Sequence, residues 1–363
     1  MAATGRDVEV VVVGAGIAGV ATAHALAADG RRVLLLEQFE TGHSRGSSHG
    51  GSRIFRLAYA DPELVSLARE ALARWRELEA ECGEPLLVQT GSLDLGEIAL
   101  EHAAGLEAAG VPCERLTGRE VGARWPIVAT ADEPAVFQPD GGITRADRAY
   151  AAFLAGARAA GAELREHARV TGLTPLADGV RVDLEGDSLV AGAAVVTAGA
   201  WAGGLLAPLG LDLEAVPTCE TVSYFQLHEA DALPSVIDAT VPADGVGAGR
   251  PGRVSYGLAA PGVGLKAGLH HAGAEVDPHE DGGPDESVVR WASEWVAGRY
   301  PEADPSPFAV ETCLYTNRPE ERFLLERRER VVVGSACSGH GFKFAPVVGR
   351  TLAGLAGDAL AGR

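Results

Sequence analysis

Cysteine is scarce in this chain. Five occur in 363 residues, an odd number with no CxxC or other zinc-like spacing. A disulfide framework is therefore not expected, and a reducing cytoplasmic setting is. Cations are also in short supply, with 31 Lys and Arg against 50 Asp and Glu and a formal net charge of −19. General nucleic-acid binding needs clustered Lys and Arg and is excluded on that balance, whereas a local basic pocket for a small anion is not. The opening MAATGRDVEVVVVGAGIAG has no basic stretch ahead of its apolar run, so no signal peptide is expected. The run from Val10 to Ala28 is long enough for a membrane, but Gly14, Gly16, Gly19 and His24 interrupt it. It reads as a buried strand and a helix, and no membrane partner is expected. With 47% apolar and 22% charged residues, the chain can bury the core of one large or two ordinary domains.

What is present begins with Val8 to Val13, an apolar strand that runs directly into Gly14-Ala15-Gly16-Ile17-Ala18-Gly19. That is GxGxxG between a strand and a helix, the context that gives the motif meaning. A second strand, Val33 to Leu36, ends in Glu37, 18 residues past Gly19 and placed to meet a ribose hydroxyl. The motif indicates a dinucleotide and leaves NAD and FAD open. Gly42 to Arg56 follows, a loop rich in Gly and Ser yet dense in His and Arg, which is the composition of a functional loop. Asp61-Pro62-Glu63 opens an amphipathic helix through about Leu78, its Leu64, Leu67, Ala71, Leu72 and Trp75 forming one core face.

From Pro85 to Phe137 short strands (Leu86–Val88, Ser92–Leu95) and a helix at 98–109 mark a departure into a second domain. Residues 146–160 read as a helix, while 168–174, 179–184 and 190–197 read as strands returning to the first domain. Beyond Val222, strand-like pieces at 222–226, 253–258 and 264–269 alternate with Gly/Pro loops, an acidic stretch spans Asp277 to Asp285, and a helix covers 287–300. His270, His271 and His279 have no acid or thiol at ligand spacing, so no metal site is expected. Near the end, Val331-Val332-Val333 forms a buried strand leading into a glycine-rich turn and a helix start. Three glycines there admit a ligand close to the backbone, the helix N-terminus favours negative charge, and His340 and Lys343 add donors.

Five segments occur in order: VVVGAGIAG…VLLLE, GSSHGGSRIFR, GLKAGLH, ETCLYTNRPEERFLL and SGHGFKFAPVVG. Together they resemble the monomeric sarcosine oxidase and N-methyltryptophan oxidase family of flavoprotein amine oxidases, over nearly the whole chain. The resemblance implies an α/β (α+β) fold in which a Rossmann-like FAD-binding domain (residues 1–80, 141–219 and 321–363) is interleaved with a catalytic domain on a large antiparallel or mixed sheet (81–140 and 220–320). It implies that Gly14, Gly16, Gly19 and Glu37 hold the ADP half of FAD. Val170 would lie against the adenine and the Ala198-Gly199-Ala200 turn near the diphosphate. Cys313 matches the residue that this family joins to the flavin as a thioether. Lys266 matches the lysine that promotes the reaction with oxygen.

The resemblance further implies that Arg56 and Lys343 bind a substrate carboxylate, and that Arg53 and His49 stand beside the flavin. Tyr256, His270, Tyr315 and His340 would line the substrate cavity. The segment Gly339, Gly341, Phe342 and Lys343 would present a helix N-terminus to the flavin ring. The expected activity is oxidation of a secondary amino acid, N-methyl or cyclic, to an imine, with O2 as acceptor and peroxide as product, by a monomer. Two departures, Ser48-His49 where the family often has two adjacent histidines and a shorter Tyr256–Lys266 stretch, leave the amine substituent open. Other readings of the same residues are an oxidase of a specialised metabolite (a cyclic imine or a glycated amino acid), an FAD dehydrogenase with another acceptor, or a non-catalytic flavin-binding subunit.

Overall fold

Segments that are apolar without alternation form the centre of the first sheet. In a computed structural model describing residues 8–239, 254–280 and 282–362, Val8–Val13 lies between Val33–Leu36 and Asp187–Val196, all parallel. Glu163–Arg165 adds a further parallel strand beyond Val33–Leu36, and Val331–Ser335 runs parallel beside the end of Asp187–Val196. The hairpin Val170–Leu176/Gly179–Leu184 and the strand Leu324–Arg328 complete eight strands with antiparallel pairings. Arg253, at the expected start of one strand, and Asp281, in the acidic stretch, lie outside the described residues, as do residues 1–7, 240–252 and Arg363.

The missing alternation has a direct cause. Val10, Val12, Val33, Leu35, Ala193, Val195 and Val332 pack into one core with helices Ile17–Ala28, Ala146–Ala159 and Ala345–Ala361. Their neighbours Val11, Val13, Leu34, Leu36, Ala194, Val196, Val331 and Val333 pack into another, beneath the Val170–Leu184 hairpin and Leu206. Both faces of these strands are dry over these positions, so the run there is apolar without alternation. Fully burying each of the Val and Leu side chains contributes about 1.5–3 kcal/mol relative to exposure.

The second sheet has nine strands and mixed pairing. Its long members are Val216–Phe225 and Ala309–Asn317, antiparallel from Val216↔Asn317 to Tyr224↔Ala309. Gly264–Leu269 and Ser255–Ala260 continue it. Helix Glu286–Arg299 covers one face: Trp295 and Val296 meet Phe225, Leu265 and Ala267. The other face carries the site described below. A small third sheet joins Ser52–Phe55, Gly142–Arg145 and Leu87–Val88. The fold is a mixed α/β architecture.

Local reading missed some elements. Ala309–Asn317 was not expected as a strand, because its Glu, Thr and Asn content masks an alternation that only pairing with Val216–Phe225 makes useful. The Pro62–Cys82 helix outruns Leu78 and stops where Gly83 takes a φ of 74°, a left-handed cap that glycine tolerates. The last helix starts later than expected, at Ala345, after a 3₁₀ turn over Gly341–Phe344. A Cβ on Gly341 would stand 1.6 Å from the Ala336 carbonyl oxygen, so the turn folds back on its own strand before the α-helix begins.

Candidate active site

The first strand of the parallel sheet delivers Gly14, Ala15 and Gly16 to the wall of a cavity of about 1460 Å³. This exceeds the roughly 300–1,000 Å³ of common small-ligand pockets and suits a dinucleotide with a substrate beside it. Glu37 lines the same cavity and is buried. Its carboxylate accepts from the Ala15 N–H at 2.8 Å and the Phe39 N–H at 3.0 Å, with His43 Nε2 3.5 Å away. These donors hold its pKa below the usual carboxylate range against the cost of burial. Val170 and the Ala198–Gly199–Ala200 turn complete this end.

Gly19 differs from the other two glycines of the motif. It does not line the cavity; a Cβ there would lie 1.9 Å from the Gly14 carbonyl oxygen. Its part is to let the helix close onto the glycine turn. Gly19→Ala is expected to cost about 1–3 kcal/mol through overpacking, read as a lowered urea midpoint with unchanged slope.

The remaining residues come together through strand parity. Side chains directly opposite in an antiparallel pair share a face, and so do every second residue along a strand. Lys266 pairs with Tyr224 and with Leu258; Glu220 pairs with Cys313 and Thr218 with Tyr315. Lys266, Tyr256, Cys313 and Tyr315 therefore project from one face of the second sheet, and all four line the cavity with His270 just beyond the Gly264–Leu269 strand. Opposite them stand His49, Arg53 and Arg56 from the first loop and its following strand, and Gly339, His340, Gly341, Phe342 and Lys343 from the turn after Val331–Ser335. Gly339 has a φ of 74° and touches Tyr315 and His270 so closely that a Cβ would sit 2.3 and 2.5 Å from their rings. Any other residue would push these rings apart.

The cations are the unusual part. Lys266 is 6% exposed; among the described residues its Nζ donates to the Ser52 carbonyl, at 3.4 Å, and lies 5.7 Å from the Tyr224 ring centre. Burial, and then the Arg53 charge, pull its pKa down to about 7. Arg53 donates to the carbonyls of Ser47 and Ser52 at 2.9 Å and stacks 5.7 Å over the Phe342 ring. A buried lysine beside a half-buried arginine calls for an electron-rich partner, and a flavin ring with its carbonyl oxygens fits that requirement. Arg56 and Lys343 converge on Tyr59, the guanidinium carbon 4.2 Å and the ammonium 5.8 Å from its ring centre. Lys343 is 5% exposed, donates to the His340 carbonyl at 2.8 Å, and has its pKa held well below the ordinary value by burial and by Arg56.

His340 donates from Nε2 to the Glu321 carbonyl at 3.1 Å, which fixes its tautomer; burial and Lys343 lower its pKa to about 3 and keep it neutral. Burial also lowers the pKa of His49 and His270 and raises those of Cys313, Tyr256 and Tyr315. Several wall residues carried no signal in the sequence. Tyr59 is buried, and its hydroxyl has no partner among the described residues. Ser48 accepts the Ile17 N–H at 2.9 Å at the start of the first helix. His102 lines the cavity while its Nδ1 meets the buried Asp94 carboxylate at 2.7 Å. Glu321 lies in the segment ETCLYTNRPEERFLL, where nothing in the sequence marks it for a role of its own.

Against known proteins, the family of FAD dependent oxidoreductases matches residues 9–355. The chain belongs to that family. It is 35% identical to a peroxisomal sarcosine oxidase of Homo sapiens, covering 95% of this chain and 90% of that protein. It is 33% identical to a monomeric sarcosine oxidase of Bacillus sp. (strain B-0618), covering 96% and 92%. Among solved structures it is similar to NikD, described as an unusual amino acid oxidase essential for nikkomycin biosynthesis, with a TM-score of 0.86, 31% identity and coverage of 97% and 94%. As a member of the FAD-dependent oxidoreductases, the chain fits its cofactor from the Gly14 turn to the Lys266 pair. No helix among the described residues is long and apolar enough to cross a membrane.

Proposed function

We propose that this chain oxidises a secondary amino acid, N-methyl or cyclic, to its imine and passes the electrons to O2, giving H2O2. The observation that carries this reading is the convergence of Arg56 and Lys343 on one buried ring in the cavity that also holds Lys266 and Cys313. The resemblance to proteins named sarcosine oxidase supports the same substrate class. FAD supplies the two-electron acceptor when bound, its ADP half held by Gly14, Gly16, Glu37 and Val170. The arginine fork and the lysine point charge grip a carboxylate between them. With the carboxylate fixed, the amine carbon is oriented toward the wall formed by Lys266, Tyr256 and Tyr315. The same cations lower the pKa of a bound ammonium, so its proton leaves without a dedicated strong base. His340 and His270, neutral through burial, add hydrogen bonding without further charge.

Titration of the anaerobic holoenzyme with sarcosine, N-methyl aromatic amino acids, proline, pipecolate, glycated amino acids and their primary parents tests the reading. One secondary amino acid is expected to bleach the visible flavin band, and failure of every member rejects it. We also propose that Cys313 carries the flavin through a thioether. Acid-precipitated wild-type protein is expected to keep its yellow colour, whereas Cys313→Ala should release flavin to the supernatant. Release from the wild type would contradict the attachment. The monomeric state and the interleaved domain boundaries belong to the same proposal.

A further inference from the structure

His270 and His271 are consecutive, and consecutive residues of a regular strand point to opposite sides. Here they do not. The Gly264–Leu269 strand ends just before them and His271 takes a φ of 55°, so the two imidazoles lie side by side with ring centres 3.9 Å apart. Fifty residues further along, the turn at Pro319–Glu321 brings Glu321 to them. Its Oε1 lies 2.9 Å from His271 Nε2 and 3.9 Å from His270 Nε2, and one donor atom from each residue falls within 4.8 Å of the other two. Zinc-class ions bind imidazole nitrogen and carboxylate oxygen at about 2.0–2.2 Å, which puts tetrahedral ligand atoms roughly 3.4 Å from one another. Against that spacing of roughly 3.4 Å, the three donor separations must change by no more than about 1.4 Å. His270 and Glu321 line the cavity, while the side chains of His271 and Glu321 are 25% and 46% exposed. The cluster therefore sits where cavity meets solvent, and an ion can enter.

We propose that His270, His271 and Glu321 form a binding site for one divalent transition-metal ion of the zinc class at the rim of the substrate cavity. Two imidazoles and one carboxylate leave a fourth position open to water. Binding through His270 Nε2 moves its proton to Nδ1, the atom 3.4 Å from the Tyr315 hydroxyl. It also neutralises Glu321, whose charge acts on both His340 and Lys343. The ion would thus join two turns from distant parts of the chain and alter the field at the carboxylate grip.

The test is calorimetric titration of tag-free, chelator-stripped holoenzyme with zinc chloride, which requires no amine substrate and stands apart from the proposed activity. Saturable one-to-one uptake is expected in the wild type. His271→Ala, a residue outside the cavity wall, should weaken it by more than the roughly 10–100-fold that loss of an outer-shell partner costs. Glu321→Gln should do the same, with an unchanged flavin spectrum in both variants showing intact folding. No uptake by the wild type, or equal affinity in His271→Ala, overturns the site; the latter would assign the ion to another donor such as the exposed Cys82.

Discussion

Lys266→Met is expected to slow the oxygen half-reaction by about 10²–10³-fold, the cost of removing a preorganised charge from a dry site, and to change the reductive half-reaction by less than about tenfold on the same scale. The reason lies in where the ammonium is held. It projects from the middle of a sheet, opposite Tyr224 and Leu258, with one long hydrogen bond and Arg53 beside it. Such a cation is costly to keep, and methionine, of similar length and apolar, would relieve that cost. The variant should consequently be at least as stable as the wild type toward urea while being a poor oxidase. Rapid mixing of the substrate-bleached enzyme with O2 gives one rate, and anaerobic mixing with substrate the other. Equal slowing of both would remove Lys266 from the oxygen reaction.

The second large effect concerns the carboxylate grip. Lys343→Met and Arg56→Ala each remove a charged hydrogen bond worth about 1.5–3 kcal/mol, or roughly 10–150-fold in affinity. The loss should appear in the dissociation constant for an amino acid and be nearly absent for the matching amine without a carboxylate. Lys343 adds a pH signature. Burial and Arg56 depress its pKa in the free protein, whereas a bound carboxylate favours the ammonium and raises it. Between the two values binding takes up a proton, so affinity is greatest below the free-protein pKa and falls as pH rises toward the bound value, by up to about tenfold per unit. Lys343→Met should lose that slope along with the affinity. A variant that binds weakly but keeps the slope would assign the titration to a different group.

Much of this molecule was legible in one dimension. Two-sided burial writes itself as unbroken apolar runs, and Val10–Val13, Val33–Leu36 and Val331–Val333 are such runs, buried on both faces of one sheet. The glycine turn between strand and helix announced a dinucleotide, and the order of five short segments identified the kind of flavoprotein. Those signals are local: each depends on residues within a turn or two of one another.

What only tertiary structure decided is register. Which of Glu311, Thr312, Cys313, Leu314 and Tyr315 face the cavity depends on pairing with Val216–Phe225, nearly a hundred residues away, and a slip of one residue would turn Cys313 and Tyr315 to the other side. Tyr59 looked like one more apolar-flanked residue until Arg56 and Lys343 closed over it. Gly19 makes a packing contact that the motif does not show, because the helix approaches the turn within the reach of a single Cβ. His270 and His271 offered no ligand spacing in the sequence, since their acid, Glu321, lies fifty residues away and meets them only where two turns cross. Periodicity records what a residue needs from its neighbours in the chain; it carries no record of which distant strand or turn will supply the rest.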